Sequence, residues 1–136
     1  MVKIFLDTNV VLDIIGKREP FYHDAKLFLN LHSKGLAQLL IAESSLGNLY
    51  YLAFNVYKLP YSEFTMGEFI RVCEVVSGGK NVIFKSIDSD FKDKEDALQY
   101  FTALENNADF LITRDKKDFK LANQIPILSP KEFFDS

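Results

Sequence analysis

Short apolar runs alternate with longer amphipathic segments along this 136-residue chain. A short apolar run that ends at polar or turn-forming residues is typical of a strand buried on both faces. The pattern predicts strands at residues 2–6, 37–41, 82–84, 110–113 and 125–128.

The segments between these runs have the spacing and the end signals of helices. Pro20 and Gly35 bracket a first helix, Pro60 ends a second, and Ser62 is expected to cap a third that runs to Gly78. These signals predict helices over 21–33, 43–57, 62–78, 94–106 and 130–134.

Apolar strands separated by helices imply an α/β fold whose parallel sheet is covered on both faces. In such sheets the ligand site lies beyond the carboxyl ends of the strands. Asp7 follows the first predicted strand and Asp115 follows the fourth. We therefore expect the two carboxylates to face one crevice, although they are far apart along the chain.

The length and the net charge of the chain restrict its domain organisation and the ways in which it can bind nucleic acid. The length suits one domain, residues 1–136. With 16 Lys and Arg against 19 Asp and Glu, the net charge is −3. Nucleic acid would not be attracted to the surface as a whole, so binding it requires a local basic patch or a bound cation.

Cys73 is the one cysteine, which excludes an intrachain disulfide and a thiolate zinc site. We interpret it as a small buried apolar residue. The chain shows no signal-peptide pattern and no apolar stretch long enough to cross a membrane, so a cytoplasmic protein is expected.

Several carboxylates fall at predicted strand or helix ends. Each has a simple explanation when taken alone, as a turn-forming aspartate or as an acid at the positive end of a helix. Together they would repel one another in one pocket unless a cation neutralised them. The set comprises Asp7, Glu43, Asp93, Asp96, Asp115 and Asp118.

The ligand types favour a hard cation. His23 and His32 lie away from the strand ends and are interpreted as surface or core residues. Carboxylate oxygens without His or Cys suit Mg²⁺ or Mn²⁺. Such an ion lowers the pKa of bound water and stabilises charge on an attacked phosphate, which is the chemistry of phosphodiester hydrolysis.

Four segments resemble the motifs of PIN-domain proteins, in order and over nearly the whole chain. They are residues 4–13 (IFLDTNVVLD), 92–99 (KDKEDALQ), 109–119 (DFLITRDKKDF) and 127–133 (ILSPKEF). The resemblance implies a three-layer fold with a five-stranded parallel sheet flanked by helices, and cleavage of RNA with Mg²⁺ or Mn²⁺. Many small relatives are VapC-like toxins that an antitoxin protein neutralises, and they are often homodimers.

The resemblance also implies roles for individual residues. Asp7, Asp96 and Asp115 match the family's catalytic, metal-binding acids. By the same comparison, Asp93 and Asp118 are second choices as ligands, and the side chains that support the acids by hydrogen bonds are Thr8, Asn9 and Thr113.

One position departs from the family pattern. Residues 41–48 read IAESSLGN, so Asn48 stands where many relatives have a glutamate. Asn48 keeps an oxygen ligand but lacks the charge. Glu43 would lie about 140° from Asn48 around a helix and does not simply replace the acid. Asp93 is a candidate for supplying the missing charge.

Basic residues near the site are predicted to bind RNA. Arg114, Lys116 and Lys117 flank Asp115, and Arg18 follows the first motif. The alternative for these residues is an ordinary solvated surface.

Three other functions compete with a ribonuclease. Asn48 favours an inactive PIN-like module that binds RNA or a protein partner. An aspartyl-phosphate phosphatase needs a second aspartate where this chain has Asn9, and the pattern of a receiver domain is absent. Nucleases of DNA flaps add DNA-gripping elements for which this chain has no room.

Overall fold

A five-stranded sheet forms the centre of the protein. The computed structural model describes residues 1–135, apart from the side chain of Ser62. Every strand pair is parallel, and the strand order is β3-β2-β1-β4-β5. This confirms the predicted fold class. The strands are β1 (Val2–Leu6), β2 (Ala37–Ala42), β3 (Cys73–Val76), β4 (Phe110–Ile112) and β5 (Ile127–Leu128).

Helices connect the strands and cover both faces of the sheet. Short 3₁₀ segments occupy Glu43–Ser45 and Lys116–Phe119, and a π-helix occupies Tyr51–Val56. The α-helices are α1 (Thr8–Ile15), α2 (Tyr22–Ala25), α3 (Leu27–Ser33), α4 (Leu46–Tyr50), α5 (Ser62–Val72), α6 (Gly79–Asp88), α7 (Lys94–Glu105) and α8 (Pro130–Asp135).

The strand predicted at 82–84 is wrong. Those residues lie in α6, where Val82 is buried and Ile83 and Phe84 are exposed, as on an amphipathic helix. The third strand is β3, which the sequence pattern had assigned to the end of a helix. A short apolar run fits a helix or a strand, and pairing of Cys73–Val76 with β2 decides the outcome.

Other helix predictions need smaller corrections. Helix α1 was not predicted, because seven of its eight residues are buried and its sequence lacks a polar face. The helix predicted over 21–33 divides at Lys26 into α2 and α3. The capping role predicted for Ser62 lies outside the described residues.

Alternate residues of β1 point to opposite layers of the core. Ile4 and Leu6 belong to the cluster that includes α1 and α3, whereas Phe5 packs with α7 residues such as Tyr100. Cys73 packs against the first cluster, and burial raises the pKa of its thiol to about 12. Among the described residues, no helix is long and apolar enough to cross a membrane.

Candidate active site at the carboxyl edge of the sheet

Asp7 lies at the junction of β1 and α1 and is held by three donors. Its Oδ1 accepts hydrogen bonds from the Thr8 backbone N–H and from Gln99 Nε2, both at 2.8 Å. Its Oδ2 accepts one from Thr113 Oγ1, also at 2.8 Å. Burial raises the pKa of Asp7, while these hydrogen bonds oppose the rise. The side chain is therefore fixed in orientation, and a nearby cation would favour its charged form.

Asp115 is linked to the same residues. Its backbone N–H donates to Thr113 Oγ1 at 3.1 Å, and its Oδ2 accepts from Asn9 Nδ2 at 3.3 Å. Thr113 thus bridges the segments that carry Asp7 and Asp115. The Thr8 hydroxyl, in contrast, is buried without a hydrogen-bond partner among the described residues.

Asp96 lies in the first turn of α7. Burial raises its pKa to about 7, with further contributions from the charges of Asp93, Asp7, Asp118 and Glu95. Asp93 caps the helix, because its Oδ1 accepts from the backbone N–H groups of Glu95 at 2.8 Å and Asp96 at 3.3 Å. Burial first, and the neighbouring carboxylates second, thus favour the protonated form of Asp96.

These side chains line one cavity of about 210 Å³, which we name the acid cavity. Six carboxylates and three side-chain amides contribute to it, so its donor chemistry fits Mg²⁺ or Mn²⁺. In the described arrangement, no three Asp, Glu, His or Cys side chains are grouped closely enough to hold a metal ion. Three acids could therefore bind one ion directly only after their side chains rotate. Without rotation, water molecules would have to bridge the acids and the ion. The lining residues are Asp7, Thr8, Asn9, Asn48, Leu52, Asp93, Glu95, Asp96, Gln99, Asp115 and Asp118.

Comparison with known families accords with this geometry. A family model described as PIN domain matches residues 3–117. The chain belongs to the PIN domain family. The matched region runs from β1 past Asp115 and so includes every acid of the acid cavity except Asp118.

Individual relatives of this PIN domain cover nearly its whole length. Ribonuclease VapC1 of Aquifex aeolicus (strain VF5) is 26% identical, over 96% of this chain and 92% of its own. DNA-bound VapBC from Salmonella typhimurium has a TM-score of 0.71 at 20% identity, covering 96% of this chain and 99% of that one. VapBC2 from Rickettsia felis, bound to a promoter DNA fragment, has a TM-score of 0.71 at 19% identity, covering 93% and 97%. The structural likenesses show that the fold is that of VapC proteins.

Asn48 forms a hydrogen bond with a carboxylate that was not predicted from the sequence to belong to the site. Its Nδ2 donates to Glu95 Oε1 at 3.3 Å, and both residues line the acid cavity. Glu43 instead lines a separate cavity with Ser77 and Gly78. The acid that Asn48 contacts is therefore Glu95, on α7.

A buried ion pair behind the acid cavity holds two of the predicted RNA-binding residues. Asp13 is fully buried and accepts from Arg114 Nε at 2.7 Å and Nη2 at 3.3 Å, while Arg18 Nε lies 3.5 Å from its Oδ1. Arg114 also lies over the Phe21 ring, 3.9 Å from its centroid. Arg114 thus ties the segment around Asp115 to α1, and both arginines are paired with Asp13 and do not form an open basic surface.

The two predicted lysines differ from each other. Lys116 pairs with Glu132 at 3.0 Å, whereas Lys117 lines a cavity beside Asp96 and Asp118. Of the four predicted RNA-binding residues, Lys117 is the one whose charge no described residue pairs.

Gln99, Glu95 and Asp13 were missed as functional candidates. Asp13 could have been predicted from the sequence, because a charge inside the apolar run of α1 needs a buried partner. The sequence indicated a role for Gln99 more weakly: it lies three residues after Asp96 and therefore on the same face of α7. Its contact with Asp7 spans 92 positions of the chain and leaves no local pattern.

Proposed function

We propose that this chain is an endoribonuclease that hydrolyses RNA phosphodiester bonds with Mg²⁺ or Mn²⁺. The observation that carries the proposal is the acid cavity, in which Asp7, Asp96 and Asp115 reach one space from three separate segments. The name of the Aquifex relative, a ribonuclease, supports RNA as the substrate.

Oxygen atoms of Asp7, Asp96 and Asp115 would hold the ion, directly or through water, with Asp93, Asp118 and Asn48 as further oxygen donors. Bound there, the ion would supply an activated water and would neutralise charge on the attacked phosphate. The neighbouring side chains orient the acids: Thr113 and Gln99 fix Asp7, and Asn9 fixes Asp115.

Glu95 would restore the charge that Asn48 lacks. Asp93, the acid first considered for this role, uses one oxygen to cap α7. Glu95 is exposed to solvent and touches Asn48, so its carboxylate is free to approach an ion beside the amide. On this proposal the site keeps a fourth acid. Glu95 on α7 takes the place of the glutamate that many relatives have where this chain has Asn48.

A toxin role follows from the solved relatives. Several are described as VapBC or toxin–antitoxin complexes, in which a partner protein accompanies the toxin. We propose an antitoxin protein as the partner of this chain. A homodimer and a cytoplasmic location stay predictions.

The decisive experiment is cleavage of a labelled RNA by wild type and by Asp7→Asn, with Mn²⁺ and with EDTA. We expect cleavage by wild type with Mn²⁺, and loss of cleavage with EDTA or in Asp7→Asn. Circular dichroism checks that the variant is folded. If Asp7→Asn cleaves at the wild-type rate, Asp7 has no catalytic role.

One alternative has structural support. Asn48, together with the absence of a tight group of three acids in the described residues, favours a non-catalytic module that binds RNA or a protein. Wild type that binds RNA but stays inert with Mn²⁺ and with Mg²⁺ would establish that function and exclude the nuclease.

A further inference from the structure

A second and larger cavity adjoins the acid cavity. Its volume is about 500 Å³, and it shares Asp93, Asp96 and Asp118 with the acid cavity. We propose that it binds an unpaired RNA nucleotide next to the bond that is cut. This inference rests on the proposed function and adds to it where the RNA lies and in what form it is bound.

Three lysines and four aspartates line this cavity, and we name it the lysine cavity. Lys92, Lys117 and Lys120 line it and are exposed. None of the three forms a hydrogen bond or ion pair with another residue in the described part of the chain. Unpaired ammonium groups bind phosphate oxygens and fix the position of a nucleic-acid strand without reading its sequence.

The lysine cavity replaces the basic surface predicted from sequence. Arg18 and Arg114 are bound to Asp13, and Lys116 is bound to Glu132. Lys117 alone of the predicted residues contributes, and it is joined by Lys92 and Lys120. The positive charge of these three lysines therefore lies on the side of the acid cavity that Asp96 and Asp118 border.

Acidic and basic side chains line different parts of the lysine cavity. The three aspartates shared with the acid cavity mark the boundary between the two spaces. The remaining lining carries the three lysines and one acid, Asp90, so this part is net positive. An RNA strand that places one phosphate at the acids would thus place its neighbouring phosphate near ammonium groups.

The size and the apolar lining favour a single unpaired nucleotide. A cavity of this volume matches the sites that hold small molecules and is too small for a duplex. Phe91 and Leu121 contribute apolar surface against which a base can lie. Proteins commonly bind RNA at unstacked bases in loops and single strands. The expected substrate is an unpaired segment, with little preference for sequence at this position.

The test compares two triple variants with the same change in net charge. The first carries Lys92→Gln, Lys117→Gln and Lys120→Gln. The matched control carries Lys34→Gln, Lys85→Gln and Lys131→Gln, at three exposed lysines that do not line the cavity. Binding of a fluorescein-labelled single-stranded RNA is measured by anisotropy in the Asp7→Asn background across a salt series. Cleavage with Mn²⁺ is measured in the wild-type background.

Two phosphates flank one nucleotide, and their neutralisation contributes a slope of about −1.4 to log affinity against log salt, or about a sevenfold loss of affinity between 50 and 200 mM salt. We expect the first variant to lose this dependence and to raise KM with kcat nearly unchanged, while the control keeps wild-type values. A blunt-ended RNA duplex, which has no unpaired nucleotide, should compete at least tenfold less well than the single strand.

Each contrary result has a distinct meaning. Equal losses in both triple variants, or an unchanged salt slope in the first, would overturn the lysine cavity as the RNA site. Equal competition by the blunt-ended duplex would overturn the single-strand specificity. If wild type itself fails to cleave RNA with Mn²⁺ or Mg²⁺, the proposed nuclease function is wrong. The anisotropy measurement then still decides whether RNA occupies the cavity.

Discussion

Replacing Asp13 by Asn should destabilise the protein markedly, because Asp13 is the fully buried partner of two arginines. The substitution keeps the shape of the side chain and removes its charge. It also turns an amide N–H₂ group toward guanidinium groups that can only donate. Arg114 then loses its bidentate contact, with distances of 2.7 and 3.3 Å, and Arg18 loses its ion pair.

The expected magnitude follows from the exposure of the three side chains. Breaking a fully buried ion pair costs about 3–5 kcal/mol. Here the arginine side chains are 19% and 26% exposed, so water compensates part of the loss. Burial also raises the pKa of Asp13, which means that the cost of desolvation outweighs the attraction of the two arginines for the carboxylate. We expect Asp13→Asn to lower the free energy of unfolding by about 2–3 kcal/mol, and Tm by about 10 °C in a domain of this size.

Urea unfolding followed by circular dichroism in EDTA measures this effect without contribution from bound metal. The m-value should stay unchanged, since the surface exposed on unfolding is nearly the same. Glu132→Gln is a matched control, because it removes an exposed ion pair with Lys116 and should destabilise far less. If Asp13→Asn is no more destabilising than the control, Asp13 does not act as a charged anchor for the Asp115 segment.

The remaining predictions concern the acid cavity. The pKa of Asp96 rises from 3.8 to about 7 on folding, so metal-free wild type should lose stability as pH rises from about 4 to about 7. Asp96→Asn should flatten this part of the profile in urea unfolding at several pH values, and an unchanged slope would refute the assignment. Gln99→Met removes the donor to Asp7 and should weaken Mn²⁺ binding by about 10–100-fold in calorimetry, whereas Thr102→Val on the same helix should not. Glu95→Gln should weaken Mn²⁺ binding and Asn48→Glu should restore it in the double variant; failure of that rescue would exclude Glu95 as the fourth acid.

Local sequence patterns were sufficient for much of the fold. The apolar runs of β1 and β2, and the apolar face of α7, depend on residues within one element, and their positions were predicted nearly to the residue. The order of strands and helices then implied a parallel sheet. Because the strands of such a sheet end at one edge, the meeting of Asp7 and Asp115 beside one cavity followed from sequence as well.

Tertiary contacts decided the rest. The segment Cys73–Val76 is a strand because it pairs with β2, although its sequence also fits the end of a helix. The arginines near the site serve Asp13 and not the solvent, since a buried carboxylate binds whichever cations the fold brings to it. Gln99 contacts Asp7 across 92 positions, and Glu95 contacts Asn48 across 47. A local pattern reports which face of an element is buried, but the partner on that face is chosen only when distant segments pack together.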